Sequence, residues 1–229
     1  MQKTVGKSLY ERTQSSVFNF ILNVIIAVFI IILFGEFIFN SVYTNIYVKG
    51  KSMMPTLNGA EAIGESSVQE GGDYVFVNTR VEPGYFDIVV VKTTDASGSS
   101  YDIIKRVIAL GGDTVKIDRG QLWIKYNGES EYTKIIEPYV LDEFNDPLMA
   151  INNFGEHVVE DGCMFLLGDN RNVSEDSRRR GDRGDYPLDS LVGVVPEWSL
   201  KYKSAITSIY TFFEFKLGFG RIGTKIYGD

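Results

Sequence analysis

The chain has little of what most hydrolytic and metal chemistries draw on: its 229 residues include one histidine, His157, and one cysteine, Cys163. A single cysteine excludes an internal disulfide framework and a multi-cysteine metal site. Any Ser-His-Asp or Cys-His mechanism would have to run through His157. That residue stands in GEHVVEDG with no oriented acid partner recognisable beside it, where a strand histidine is most often structural. Positive charge is short as well. The formal net charge of −7 leaves no basic face for nucleic acid. Beyond residue 40 no long segment shows a 3.6-residue period, and there is no internal repeat.

What is present is uneven. The run VFNFILNVIIAVFIIILF, residues 17–34, carries no charge, and Asn19 and Asn23 are its only polar residues. At ~1.5 Å per residue it makes about 27 Å of helix, close to a hydrocarbon core. Extension through Phe39 carries it into the far interface. No small-x-small cleavage site follows, and the run is longer than a usual secretory h-region, so it reads as one uncleaved anchor over 17–39. Lys3, Lys7 and Arg12 outweigh Glu11 ahead of it, which keeps residues 1–16 cytoplasmic and puts 40–229 outside.

Past the anchor, short β-type runs alternate with turns. Strands are expected at 46–48, 74–78, 87–92, 101–110, 114–118, 122–126, 157–159, 163–167 and 191–196, with an Asp-Arg-Gly hairpin turn at 118–120. Residues 60–72 read as a surface loop, and about 116–162 as a loop-rich insertion. The tail 204–217 is too short and too charged to span, and is expected to pack on the domain or lie at the interface. The fold class is therefore mainly β: an antiparallel, curled or barrel-like sheet behind a single N-terminal transmembrane helix.

Three segments carry candidate chemistry. Ser52, in VKGKSMMPTL, lies about a dozen residues after the membrane exit. Gly50 allows close backbone approach and Pro55 fixes the chain after it, while Met53 and Met54 read as exposed residues suited to a bilayer surface. Taken alone, Ser52 is equally well a serine capping a strand-to-turn junction. A serine nucleophile needs a base, and besides His157 that base could be a lysine kept neutral by burial. Lys105, in YDIIKRVIAL, shares a strand face with Ile103, Val107 and Ala109, and Arg106 faces the other way with Ile104 and Ile108. A protective edge-strand lysine fits that pattern as well. Third, GDNRNVSEDSRRRG at 168–181 packs acidic, basic and hydroxyl groups behind an apolar strand, as a hydrogen-bonded turn network would. As a calcium loop it fails, because Arg171 and Val173 fall where ligands are needed.

In this order the three segments resemble the bacterial type I signal peptidases, over 46–57, 74–113, 165–181 and weakly 191–223. Ser52-Met53-Met54-Pro55-Thr56-Leu57 matches the nucleophile box and Lys105-Arg106-Val107-Ile108-Ala109-Leu110 the base box. Gly168-Asp169-Asn170-Arg171 with Ser174, Asp176, Ser177 and Arg178 matches the last box. The resemblance implies Ser52 as nucleophile, Lys105 as general base and Ser174 as the residue orienting the lysine. It also implies a supporting Asp176–Arg178 ion pair, alongside Asp169, Asn170 and Arg171. Four departures stand out, one of them a 60–72 loop longer than expected. Gly111 replaces a usual proline, so a looser turn is expected after the lysine strand. Phe86 stands where a glycine is common. Gly50 occupies a position where some relatives use a serine for the oxyanion, which leaves that role to the Ser52 backbone N–H.

The resemblance thus implies a membrane serine endopeptidase, free of metal and cofactor, that removes signal peptides at Ala-x-Ala-like sites on the outer face of the cell membrane. Its expected partners are preprotein signal peptides, the lipid bilayer and the secretion machinery, with no nucleic acid. The competing readings are an anchored β domain that only binds exported chains, and a dyad protease dedicated to one precursor.

Overall fold

The computed structural model describes residues 9–62, 69–95, 97–178, 184–216 and 224–225, in two units, Met1–Val42 and Tyr43–Asp229. The first unit is helix α1, Leu9–Val42. Its stretch Ser16–Val42 is long and apolar enough to cross a membrane and has none of its surface buried, and it contains the 17–39 anchor expected from the sequence.

In the second unit the strands are β1 Tyr43–Tyr47, β2 Glu61–Ala62, β3 Gln69–Glu70, β4 Tyr74–Asn78, β5 Ile88–Thr94, β6 Ser100–Leu110 and β7 Thr114–Asp118. They continue with β8 Gln121–Lys125, β9 Thr133–Lys134, β10 Phe154–Val158, β11 Cys163–Leu167, β12 Tyr186–Pro187, β13 Leu191–Val194 and β14 Thr224–Lys225. Eight strands form one sheet in the order β12-β11-β6-β5-β13-β4-β1-β14, antiparallel except for β1–β14. It stays open rather than closing into a barrel. Both faces are buried, which explains unbroken runs such as Ile88–Val91. Ile88, Val90 and Ile104 join Ile46, Val75 and Val77 on one side, while Val89, Val91, Ile103 and Val107 join Met164 and Leu166 on the other.

A second sheet, β10-β7-β8-β9, occupies the region expected as a loop-rich insertion. Its Val115, Ile117, Leu122 and Ile124 close over Ile108, Ala109, Phe165 and Leu167. The β7–β8 connection is a two-residue hairpin loop with Arg119 and Gly120 both at positive φ (47° and 77°), the geometry that matches strand twist. In the 60–72 region β2 and β3 pair as a short hairpin, and residues 63–68 lie outside the described residues.

Two helices had no counterpart in the sequence reading: α2, Glu197–Lys201, and α3, Lys203–Thr211. They pack on β4, as the packed alternative for the tail required. Ile206 is buried, Tyr210 stacks on Tyr74 at 4.9 Å, and Trp198 packs its ring on Phe76 at 5.5 Å.

Candidate active site

Ser52 sits in a turn between β1 and β2. Gly50 opens that turn at φ 74°, a left-handed conformation that a serine there would adopt only under strain. The Met54 and Leu57 N–H groups then bond back to the Lys51 and Met53 carbonyls. Met53 is not exposed as expected. It is 1% exposed and, with Leu57, plugs the core beside Ile46, Val48 and Ile104, which stabilises the turn by about 1.5–3 kcal/mol per side chain. Burial of Met53 holds the adjacent Ser52 hydroxyl in place.

Lys105 lies at the middle of β6, directly opposite Val89, with strands on both sides. It is fully buried, and its Nζ is 2.8 Å from Ser52 Oγ. Ile103 and Val107 share its face as expected. Ala109 does not, because the β6–β11 register slips where Ala109 pairs with Phe165 and Val107 with Leu166. That bulge turns both Ile108 and Ala109 into the second core. Arg106 faces away from Lys105, as expected, and its guanidinium lies 3.8 Å from the Tyr139 ring centroid. Beyond the strand the Gly111 turn is not loose: the buried Asp113 carboxylate accepts from Leu110 N–H, Asn127 N–H and the Tyr85 hydroxyl.

The last box forms the third wall. Asp169 accepts two bonds from Arg106, Nε at 2.8 Å and Nη2 at 2.6 Å, and a third from the Thr56 hydroxyl. One carboxylate thus ties the lysine strand to the serine turn. Asn170 N–H donates to the Ser52 carbonyl at 2.9 Å. Arg171 is buried against Glu137, and its Nε donates to the Gly168 carbonyl. Burial opposes ionisation of Asp176, but the Arg178 guanidinium, bonded through Nε at 2.9 Å and Nη2 at 2.8 Å, holds its carboxyl below the usual range. Arg178 Nη1 also reaches Asn152 Oδ1, which fastens the box to residues outside it. Asp169 and Asp176, two of the carboxylates in the rejected calcium loop, are engaged by guanidinium groups.

Ser174 is fully buried in this box, where its hydroxyl helps to hold Asp176 ionised, and among the described residues it does not make the bond to Lys105 that the resemblance implies. Gly168, quoted in the last box without a role, is a close neighbour of both serines. A Cβ there would stand 2.5 Å from the Ser52 carbonyl and 2.3 Å from Ser174 Oγ. His157 has an acid partner after all, Asp185 at 2.8 Å, supplied from 28 positions along the chain and so invisible locally. It bonds that carboxylate and packs on Phe154 and Phe165 in the second core, which is the structural role expected. The nearby Cys163 thiol is pushed up by burial and by Asp185, the wrong direction for a nucleophile.

The antiparallel sheet thus buries a serine–lysine contact against a charged turn, an arrangement that suits a hydrolase. Comparison with known proteins gives the family. Residues 21–199 match the model described as signal peptidase, peptidase S26. Signal peptidase I of Bacillus amyloliquefaciens is 34% identical over 179 residues, covering 75% of this chain and 84% of that protein. Signal peptidase I S of Bacillus subtilis (strain 168) is 34% identical over 184 residues, with the same coverage of 75% and 84%. Signal peptidase IB of Staphylococcus aureus (strain COL) is 28% identical over 222 residues, covering 93% and 99%. The crystal structure of a signal peptidase I from Enterococcus faecalis V583 aligns with TM-score 0.39 at 25% identity, over 51% of this chain and 98% of that one. The chain belongs to the S26 signal peptidase family, whose members are serine peptidases that remove signal peptides from preproteins.

Proposed function

We propose that this protein is a membrane-anchored endopeptidase that cleaves preproteins at Ala-x-Ala-like sites, with Ser52 as nucleophile and neutral Lys105 as general base. The observation that carries the reading is the 2.8 Å contact between two fully buried side chains, Lys105 Nζ and Ser52 Oγ. An apolar setting disfavours an ammonium, and a neutral amine accepts the proton that an ammonium would refuse.

Ser52 Oγ bonds to the scissile carbonyl carbon while its proton moves to Lys105 Nζ. The Ser52 N–H, which has no acceptor among the described residues, donates to the developing oxyanion. The new ammonium then gives its proton to the departing amine nitrogen as the C–N bond breaks. Water next attacks the acyl ester and passes a proton to Lys105, and Ser52 Oγ leaves as the alcohol. Asp169, Asn170, Arg171, Asp176 and Arg178 hold the reacting pair in register, and Ser174 orients the lysine during turnover. With α1 as the single span, residues 1–16 stay cytoplasmic and the β domain works at the outer face, against the bilayer and within reach of the secretion machinery.

The test is cleavage of an Ala-x-Ala preprotein by the full chain in lipid vesicles, beside Ser52→Ala and Lys105→Ala. Cleavage by wild type alone supports the reading. Turnover that survives Lys105→Ala would sink the dyad, and wild-type inactivity on every preprotein would favour an anchored binding domain.

A further inference from the structure

The Ser52 turn is held from a direction that the three boxes do not supply. Lys203, the first residue of α3, donates through Nζ to the Thr56 carbonyl at 2.8 Å and to Asp73 Oδ2 at 2.9 Å. The same Asp73 oxygen accepts the Asn58 N–H at 2.8 Å. One ammonium and one carboxylate therefore fix the backbone at 56 and 58, within six residues of Ser52. Asp169 fixes the Thr56 hydroxyl from the opposite partner, Arg106. The base of the lysine is itself rigid. Ile206 is buried, Thr207 Oγ1 accepts the Tyr74 N–H at 2.8 Å, and Tyr210 stacks on Tyr74. Lys203 lies beyond residues 21–199, where the family match ends.

We propose that Lys203 is a positioning residue for Ser52, and that α3 acts through it as a clamp on the nucleophile turn. The inference rests on Ser52 being the nucleophile. The turn carries Ser52 on a short coil that is also anchored by the Met53 and Leu57 side chains, by Gly50 N–H on the Ala60 carbonyl, by Asp73 N–H on the Asn58 carbonyl, by Asn170 N–H on the Ser52 carbonyl and by the Thr56 hydroxyl. Removing the ammonium frees the Thr56 carbonyl and leaves Asp73 a buried charge without its counter-ion. The coil then shifts relative to Lys105, which β6 keeps in place, and a displacement on the order of 1 Å is enough to cost a hundredfold in rate. Substrate binding elsewhere is untouched, so the loss falls on kcat.

The test uses the full chain in lipid vesicles and compares Lys203→Met, Lys203→Arg and Asp73→Asn with wild type. Two measurements are made: hydrogen exchange at residues 53–58 and preprotein cleavage. Expected for Lys203→Met are faster exchange at Leu57 and Asn58 with β6 unchanged, kcat lower by roughly tenfold to a hundredfold, and KM within about twofold. Lys203→Arg, which keeps the charge and the donors, recovers most of the rate, while Lys201→Met, exposed two residues earlier, changes neither measurement. If Lys203→Met fails to fold, Asp73→Asn gives the same two readouts. Unchanged exchange in the turn would overturn the clamp, and faster exchange with unchanged kcat would overturn its role in positioning. Inactive wild type would instead overturn the peptidase reading, with the clamp still judged by exchange.

Discussion

The two halves of the proposed dyad are supported in contrasting ways. Lys105 stands on an eleven-residue strand with a strand on each side, so its position follows from a continuous ladder of backbone bonds. Ser52 stands on a coil that bonds to the rest of the domain at a handful of points. A ladder shares its load among many equivalent bonds, whereas tethers fail one at a time. Substitutions on the base side should therefore change chemistry and spare geometry, and those on the nucleophile side should lower the rate by way of geometry.

The largest effect should come from the ladder. Lys105→Met keeps a similar volume without a buried amine, so cleavage should fall by about 10³-fold or more while Tm holds or rises. A marked drop in Tm would show that the lysine also holds the strand. Next is the carboxylate that joins the two sides. Asp169→Asn leaves the buried Arg106 guanidinium without a counter-charge and should destabilise by about 3 kcal/mol in denaturant unfolding. On the tether side, Gly168→Ala pushes a methyl group against the Ser52 carbonyl. It should lower kcat by roughly 10–100-fold for a stability change of about 1–3 kcal/mol. Unaltered kcat would mean that the turn tolerates displacement after all.

The smallest effect lies at the far end of the ladder. Burial, followed by the bond to Asp113, pushes the Tyr85 phenol up to about 12 from an ordinary 10.0. The folded state then holds this proton more tightly than the unfolded state. Its contribution is complete below the unfolded value and is lost as pH rises from 10.0 towards about 12. Tyr85→Phe should flatten that alkaline limb in urea unfolding and leave cleavage at neutral pH unchanged.

Period and composition made much of this legible. The apolar run of 17–39, the alternation in 101–107 and the turn residues at 118–120 each express a local rule, and the structure obeys all three. What stayed hidden depended on partners distant in sequence. Nothing near His157 announces Asp185, and nothing near Met53 announces the core it fills. The bulge that diverts Ala109 comes from the register with β11, which β6 alone cannot encode. Helices α2 and α3 escaped because Tyr202 interrupts two short segments whose helicity rests on packing against β4. Lys203 was passed over for the same reason: a lysine becomes a clamp only when Thr56 and Asp73 are brought beneath it.

The triple role of Asp169 has a consequence for how the enzyme is born. A growing chain exposes Ser52 first, then Lys105, and only later the carboxylate that receives both Thr56 and Arg106. Until residue 169 arrives, the two reacting groups share a polypeptide but no common brace. Contacts that span 63 and 113 positions are among the slower ones to close. On the proposed mechanism a half-made molecule is a protease in parts, and hydrolysis would begin only with completion of the fold.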